Sequence, residues 1–304
     1  MPRGNWQTAG ARDGLTDSGG RGEDEMWSRR LPPIEKAEFV ALDTETTSLL
    51  PATGRLVEVA AVRFVRAGQV LDEFASLVCP GHAIPPEARK IHGITDAMVR
   101  DAPEEAEVLR ALLRRLGSAN TIIVAHNASF DLGFLTLGLA RAGLTAPKLP
   151  VLDTCLMARD LLPHLDKYSL SHLSQFFGLS HKDRHRALPD AHITRKVFLR
   201  LLEYLSPDAF EHLPRRGYVF GFDEGGIVLA EPPAGFEALA VAIEQHLDVE
   251  MIYRGGSKGA APRRVTPLAL FRQGPYVYLA AFCHRDQLQK TFRLDKITSL
   301  RLVD

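Results

Sequence analysis

The sequence predicts an α/β domain, in which helices flank a mixed sheet, followed by a small β domain. Three strand-like runs come first, and a turn at 66–69 joins the second to the third, which is typical of an antiparallel hairpin. Short apolar runs then alternate with helical patterns, as in an α/β layer fold. After a segment rich in Pro and Gly, short strand-like runs return, which indicates a second, smaller β domain.

The elements of the α/β part follow from apolar periodicity and from Gly and Pro at their ends. A continuous apolar run such as 121–125 is typical of a buried strand. The predicted strands are 38–43, 56–65, 70–79, 121–125 and 149–153. The predicted helices are 103–116, one that follows His126 and Asn127, one that ends near Pro163, 169–177 and 187–205.

Composition and apolar periodicity divide the chain into four segments. Residues 1–33 are rich in Gly, Arg, Asp and Ser and lack an apolar period, so we expect disorder there. The α/β domain is assigned to 34–205, a linker that carries a small hairpin to 206–234, and the β domain to 235–304. Within the last segment we predict a helix at 236–247 and strands at 249–254, 265–271, 276–282 and 289–294.

Composition limits the class of protein. The 304 residues suit two domains, and 45% apolar with 24% charged residues is ordinary for a soluble globular chain. No stretch approaches the roughly 18 apolar residues that span a bilayer, and the first residues lack the apolar run of a signal peptide. We therefore expect a cytoplasmic protein. Net charge is zero, so bulk charge gives no sign of a nucleic-acid partner.

Acidic residues stand at the ends of predicted elements. Asp43 and Glu45 follow the first apolar run, and side chains two apart on a strand point to the same side. Two adjacent carboxylates at a strand end form a candidate Mg²⁺ or Mn²⁺ site. Asp131 and Asp190 lie near helix starts, where favourable charge at a helix N-terminus is the alternative explanation. His185 precedes Asp190 with four residues between them.

Together these residues resemble the DEDDh family of 3′-to-5′ exonucleases, the DnaQ-like proteins. The resemblance covers about 36–205 and includes the segments DTETT (43–47), IHGIT (91–95), HNASFD (126–131) and HRALPDA (185–191). It implies an RNase H-like mixed sheet flanked by helices. It also implies two Mg²⁺ or Mn²⁺ ions, about 3.5 to 4 Å apart, held by Asp43, Glu45, Asp131 and Asp190. His185 would accept the proton of the attacking water, and His181 on the same loop is the rival base.

The resemblance also suggests residues that contact the terminal nucleotide. Thr46 and Leu49 would touch it, with Leu49 wedged against a base, and His92 would contact the nucleotide or its phosphate. Phe130 could stack on a base. Asn127 is the fifth candidate for contact with the nucleotide. The alternatives are loop packing for Thr46 and Leu49, a structural histidine for His92, a core aromatic for Phe130 and a helix cap for Asn127.

The C-terminal part resembles the WYL domain, a small Sm-like β-barrel thought to sense a ligand or nucleic acid. The matching segments are 251–254, 264–267, 277–279 and 292–297, with Val277 in place of the name-giving Trp. Arginine and aromatic side chains suit phosphate and bases, and the alternative is a structural barrel with solvated arginines. The candidate ligand-binding residues are Tyr253, Arg264, Tyr278, Arg285 and Arg293. Residues 287–292 faintly resemble a sliding-clamp-binding peptide, but strand alternation explains them, so a polymerase or clamp partner is unsupported.

The predicted function is metal-dependent hydrolysis of phosphodiester bonds from the 3′ end, with single-stranded DNA preferred, in repair or proofreading. RNA trimming is the nearest alternative because nothing in the sequence decides how a 2′-OH is treated. A second alternative is a WYL-type regulator that senses nucleic acid and keeps a vestigial nuclease fold. The presence of all four carboxylates and of His185 argues against that alternative.

Overall fold

The computed structural model describes residues 31–117, 120–179, 185–254 and 261–303. The first of its two sheets has the order β3-β2-β1-β4-β5-β6, with β1 (Glu38–Thr46), β2 (Leu56–Val65), β3 (Val70–Leu77), β4 (Thr121–Ala125), β5 (Pro150–Asp153) and β6 (Val219–Gly221). β1 pairs antiparallel with β2 and parallel with β4, so the sheet is mixed, as predicted. This arrangement confirms the predicted α/β fold class.

Helices cover both faces of this sheet. They are α1 (Pro86–His92), α2 (Asp96–Val99), α3 (Glu105–Leu113), α4 (Ser129–Arg141), α5 (Thr154–Leu161), α6 (Leu170–Phe176) and α7 (Ala187–Leu202). Because side chains alternate along a strand, Phe39 of β1 packs with Phe198 of α7. Leu42 of β1 packs on the opposite face, in the cluster that holds Leu109 and Phe134 of α3 and α4. β1 is therefore the strand that both helix layers share.

The segment predicted as a linker belongs to both domains. A 3-10 helix forms at Pro207–Arg216, and β6 follows it and pairs with β5 at the edge of the first sheet. β7 (Val228–Leu229) pairs with β9 (Arg263–Gln273) of the second sheet. Phe210 and Phe222 are buried, which explains why this Pro- and Gly-rich stretch is tied to the folded domains.

The C-terminal part forms the predicted small β domain. Its sheet runs β11-β10-β9-β8-β12, with β8 (Val249–Tyr253), β10 (Tyr276–Cys283), β11 (Leu288–Arg293) and β12 (Ile297–Leu302), and its pairings are antiparallel. Helix α8 (Ala238–Glu244) packs Leu239 and Ala242 into the core of this domain. β12 lies beyond the last predicted strand.

Most of the segment predicted to be disordered, 1–33, lies outside the described residues, the first of which is the buried Leu31. Among the helices of the described ranges, none has the length and apolar content that crossing a bilayer requires.

Candidate active site

Two carboxylates project from the central strand. Asp43 and Glu45 lie on the same face of β1, two residues apart, as the sequence predicts. Directly opposite Glu45 on β2 stands Glu58, a third acidic side chain that the sequence analysis did not single out. Like charges that face each other across a strand pair repel, so this face of the sheet needs a compensating cation.

Helix α7 brings Asp190 to the same place. Carboxylate oxygens of Asp43, Glu45 and Asp190 all lie within 4.8 Å of one another. Asp190 is buried in the first turn of α7 and accepts the backbone N–H of His185 at 3.2 Å. Three carboxylates from one strand and one helix thus share a site small enough to surround a divalent cation.

Asp131 lies on α4, on the face of the sheet opposite the one that α7 covers. It lies in the first turn of α4, is buried, and accepts a hydrogen bond from Thr44 Oγ1 at 2.8 Å. Thr44 points from β1 to the face opposite Asp43, so Asp131 is held at the strand end from the other side. Its charge raises the pKa of Asp43, after the larger effect of burial. Asp131 is therefore near enough to Asp43 to affect its pKa, but it is not one of the three carboxylates whose oxygens lie within 4.8 Å of one another.

Burial and mutual repulsion make this cluster electrostatically unfavourable when its carboxylates are ionised. Burial first, and the charge of Asp190 next, raises the pKa of Glu45 to about 8. Burial raises the pKa of Asp131 to about 7, although the hydrogen bond from Thr44 opposes the rise. Burial likewise raises the pKa of Asp43 well above its usual value. Such a cluster accepts either protons or a cation.

Glu58 has a different role from the other carboxylates, because it is neutralised by a neighbour. Arg186 donates to Glu58 through Nη2 at 2.6 Å and Nε at 3.0 Å, and the backbone N–H of Ala187 donates to Glu58 at 2.8 Å. These bonds fasten the start of α7 to β2. Glu58 is the sole acidic residue within the apolar strand 56–65, and this is the sequence signal that could have identified it, because a buried charge needs a partner.

His185 immediately precedes Arg186, the residue that pairs with Glu58. Its backbone φ is 61°, in the left-handed region that most non-Gly residues avoid. Its side chain is exposed. The hydrogen bonds of the flanking Arg186 and of Asp190 hold the backbone in this conformation. The rival base His181 lies outside the described residues.

Four of the five predicted nucleotide-contacting residues line one cleft together with Glu45. The cleft has a volume of about 1120 Å³ and is bordered by Thr46, Leu49, His92 and Phe130. Leu49 is 74% exposed. Phe130 packs its ring at 5.2 Å from Phe134, so it serves the core as well as the cleft wall. Asn127 lies apart from the residues that border the cleft.

His92 has an unused hydrogen-bond donor. Its Nδ1 accepts the N–H of Ile94 at 3.0 Å, so the ring proton resides on Nε2. This Nε2 is buried near the Thr46 backbone and forms no hydrogen bond of ordinary geometry with a described residue. Burial lowers the pKa of His92, which keeps the ring neutral. This buried donor belongs to a residue that borders the cleft.

The neighbouring polar residues are structural. His126 is held at both nitrogens, by Thr154 Oγ1 at 2.9 Å and the Tyr168 carbonyl at 2.8 Å. Asn127, with φ 61°, donates its backbone N–H to Asp153 at 3.1 Å. Helix α4 takes Ala128, not Asn127, as its N-cap residue, so the capping alternative for Asn127 is wrong. The loop that carries Asp131 is fixed by these contacts.

Two of the residues predicted to bind a ligand in the C-terminal domain, Tyr278 and Arg293, lie opposite each other on β10 and β11. Tyr253 packs against Phe292 at 5.2 Å and Tyr278 against Phe271 at 5.3 Å. Arg264 pairs with Asp248 at 2.5 Å, Arg293 pairs with Asp295 at 2.5 Å and lies over the ring of Tyr276, and Arg285 is exposed.

Comparison with known proteins decides the family. A family model described as "Exonuclease" matches residues 40–198, which contain all four carboxylates and His185. The chain belongs to this exonuclease family. A second family model, described as "WYL domain", matches residues 234–302. The predicted resemblance to DnaQ-like exonucleases with a C-terminal WYL domain is thereby confirmed.

Relatives of this exonuclease are larger proteins. DNA polymerase III PolC-type of Oceanobacillus iheyensis is 40% identical over 167 residues, 55% of this chain and 12% of that protein. The DNA polymerase III subunit epsilon-like protein of Rhodobacter capsulatus is 42% identical over 177 residues, 57% of this chain and 25% of that protein. The chain thus spans a quarter or less of the length of these two relatives.

A solved structure extends the fold comparison beyond the exonuclease domain. Escherichia coli exonuclease I in complex with single-stranded DNA has a TM-score of 0.52 and 20% identity to this chain. The likeness covers 81% of this chain and 55% of that one. The two chains therefore share a fold over a span longer than the exonuclease domain alone.

Proposed function

We propose that the chain hydrolyses phosphodiester bonds from the 3′ end of single-stranded DNA. One observation carries the proposal: the carboxylates of Asp43, Glu45 and Asp190 lie within 4.8 Å of one another, and Glu45 borders a cleft of about 1120 Å³. A single end of a strand can enter an open cleft and present its last phosphate to the cluster. The proposal agrees with membership of the exonuclease family.

The donor set fits divalent cations. Carboxylate oxygens are the ligands that Mg²⁺ and Mn²⁺ prefer. Burial raises the pKa values of Glu45 and Asp131, and a cation would favour their ionised forms. Asp43, Glu45, Asp131 and Asp190 would hold two such ions. When bound, the ions would neutralise charge on the phosphate and on the attacking and leaving oxygens.

His185 is the proposed general base. Imidazole has an unperturbed pKa of about 6.5 and can accept a proton from water near neutral pH. The hydrogen bond from the backbone N–H of His185 to Asp190 supports this role, because it links His185 to a carboxylate of the cluster and uses neither ring nitrogen. His92 Nε2–H is the proposed donor to the terminal nucleotide, because it is buried at the cleft wall and unused.

DNA is the preferred substrate because the relatives are named DNA polymerase III proteins. RNA is the rival, since a 2′-OH adds a donor and an acceptor that the cleft could either use or reject. Matched DNA and RNA oligonucleotides separate the two. Faster shortening of the DNA supports the proposal, and faster shortening of the RNA makes the chain an exoribonuclease.

The test of the activity uses 5′-labelled single-stranded DNA with Mg²⁺ or Mn²⁺. We expect a ladder that shortens from the 3′ end and that Asp43→Ala and His185→Ala abolish. Asp101→Ala and His212→Ala are matched controls, because both residues are exposed and lie outside the cleft lining. Absence of cleavage of DNA and of RNA by the wild type would instead favour the nucleic-acid-sensing regulator.

We also propose the division into an exonuclease domain (34–205), a connecting segment (206–234) and a WYL domain (235–304), and a cytoplasmic location. The two separate sheets support the division, and the connecting segment adds β6 to the first sheet and β7 to the second. The exonuclease would act in DNA repair or proofreading. The WYL domain would bind nucleic acid.

A further inference from the structure

The cleft beside the carboxylates has two walls from different domains. One wall consists of exonuclease residues such as Leu49, Ile91 and His92. The other consists of Phe282 and residues 287–291, at the turn that joins β10 to β11. We refer to Phe282 and residues 287–291 as the hairpin wall. The WYL domain thus borders the same space as the metal-binding carboxylate Glu45.

The hairpin wall is held in place by contacts between the domains. Thr53 Oγ1, on the exonuclease side, donates to Gln289 Oε1 at 2.9 Å. An apolar cluster joins Leu50 and Leu137 of the exonuclease domain to Phe271 and Ala280 of the WYL domain. A polar bond at the cleft and a hydrophobic cluster behind it fix the position of this wall.

Exposed aliphatic side chains face the cleft from both walls. Leu49 is 74%, Ile91 52% and Leu288 48% exposed. Exposed apolar groups gathered around one cleft indicate a binding site. Lys290 is the sole lysine or arginine among the described residues that border the cleft, and it pairs with Asp286 at 2.6 Å. These walls are therefore suited to the apolar faces of bases and not to phosphates.

We propose that the hairpin wall, through Leu288, packs against the bases of unpaired nucleotides immediately 5′ of the nucleotide that is cleaved. This inference rests on the proposed function. The cleft volume of about 1120 Å³ exceeds the roughly 300 to 1,000 Å³ of pockets that hold a drug-sized ligand, so it accommodates more than one nucleotide.

The occupant is a single strand because only unpaired bases expose their faces. In a duplex the bases are stacked and paired, and their faces cannot reach Leu288 or Ile91. In a single strand each base offers a flat face to an apolar side chain, irrespective of sequence. The second wall thereby gives the enzyme a preference for unpaired 3′ ends.

The experiment compares two substrates: a single-stranded oligonucleotide and the p-nitrophenyl ester of thymidine 5′-monophosphate, a small diester without a neighbouring nucleotide. For Leu288→Ser and Ile91→Ser we expect kcat/KM on the oligonucleotide, relative to the ester, to fall on the order of fivefold. Leu302→Ser and Leu71→Ser are the matched controls, since both leucines are exposed and border no part of the cleft.

A binding measurement tests the contact between Leu288 and the bases without requiring cleavage of the oligonucleotide. In the Asp43→Asn background we expect Leu288→Ser to weaken binding of a fluorescent oligonucleotide by a similar factor, at low and high salt alike, because no phosphate contact is lost. An unchanged kcat/KM ratio and unchanged binding in Leu288→Ser would overturn the inference and leave the proposed function intact. A wild type that hydrolyses neither substrate would overturn the proposed function itself.

Discussion

Arg186 and Glu58 form a two-point ion pair, with donor-acceptor distances of 2.6 and 3.0 Å, directly beside the predicted base His185. Glu58 is buried on β2, and Arg186 precedes the first residue of α7. The pair neutralises the glutamate that faces Glu45 across the strands. It also fixes the residue that follows His185, and therefore the start of the helix that carries Asp190.

Glu58→Gln should slow catalysis through the position of His185. The amide keeps the size of the side chain but loses the charge that binds Arg186, and a small displacement of a catalytic group costs between about tenfold and a hundredfold in rate. We expect kcat on the oligonucleotide to fall by this amount with little change in KM. The measurement is steady-state kinetics with Mg²⁺.

Glu73→Gln is the matched control for that substitution. Glu73 also binds α7, through His192 Nε2 at 3.1 Å, but from β3 and away from the cleft. An equal loss of kcat in the two variants would mean that general weakening of α7, and not the placement of His185, explains the effect.

The metal-free protein should lose stability as pH rises from 6.5 to 8. Burial and neighbouring charges raise the pKa of Glu45 from 4.5 to about 8, so the folded protein holds a proton that the unfolded chain has already lost in this range. Unfolding therefore releases a proton, and the free energy of unfolding falls with pH. His92 and His126, whose pKa values burial lowers from 6.5, oppose this trend only at lower pH.

Thermal unfolding in EDTA at several pH values measures this effect. The decline in Tm between pH 6.5 and 8 should be smaller in Glu45→Gln, which cannot ionise. A wild-type Tm that does not fall more steeply than that of Glu45→Gln would contradict the assigned electrostatics of the cluster.

Binding of Mg²⁺ should stabilise the folded protein and depend on Asp190. At a hundred times Kd, a ligand that binds only the folded state adds about 2.7 kcal/mol to the free energy of unfolding. The gain in Tm should be larger at pH 8 than at pH 6.5, because the ligands must lose their protons. Asp190→Asn should remove most of the gain, whereas Asp101→Asn should retain it. An equal gain in both variants would place the metal elsewhere.

His126 should contribute to stability and not to the chemistry, although it belongs to the same motif as Asp131. Its two nitrogens bind Thr154 and Tyr168. His126→Ala would leave partners without their hydrogen bonds and should cost about 1 to 3 kcal/mol in urea unfolding. His212→Ala, an exposed control, should cost much less. An unchanged stability with lost activity would assign His126 a direct role.

Local sequence patterns predicted the elements that carry the site. The strand 56–65 matches β2 residue for residue because its apolar run is flanked by turn residues. Asp43 and Glu45 were found together because strand geometry places alternate residues on one face. Helix α1 was missed because Ala88 and His92 are its sole buried residues, which is too short a pattern for periodicity to reveal.

Features that depend on contacts between distant segments could not be predicted in this way. Nothing local to residues 287–291 shows that they face Leu49 and Ile91 across a cleft, because that proximity depends on how the two domains pack. The Glu58–Arg186 pair joins residues that are 128 positions apart. Tyr278 was proposed for ligand binding on its chemistry alone, yet it stacks on Phe271 in the cluster between the domains.

The direction of cleavage is the sharpest test of the proposed 3′-to-5′ exonuclease activity. Two oligonucleotides of one sequence, labelled at the 5′ end or at the 3′ end, are incubated with the protein and Mg²⁺. We expect a descending ladder from the 5′-labelled strand, immediate release of a labelled mononucleotide from the 3′-labelled strand, and neither product with Asp190→Asn. Internal fragments from both strands, or the same products with Asp190→Asn, would rule out 3′-to-5′ exonuclease activity at this carboxylate cluster.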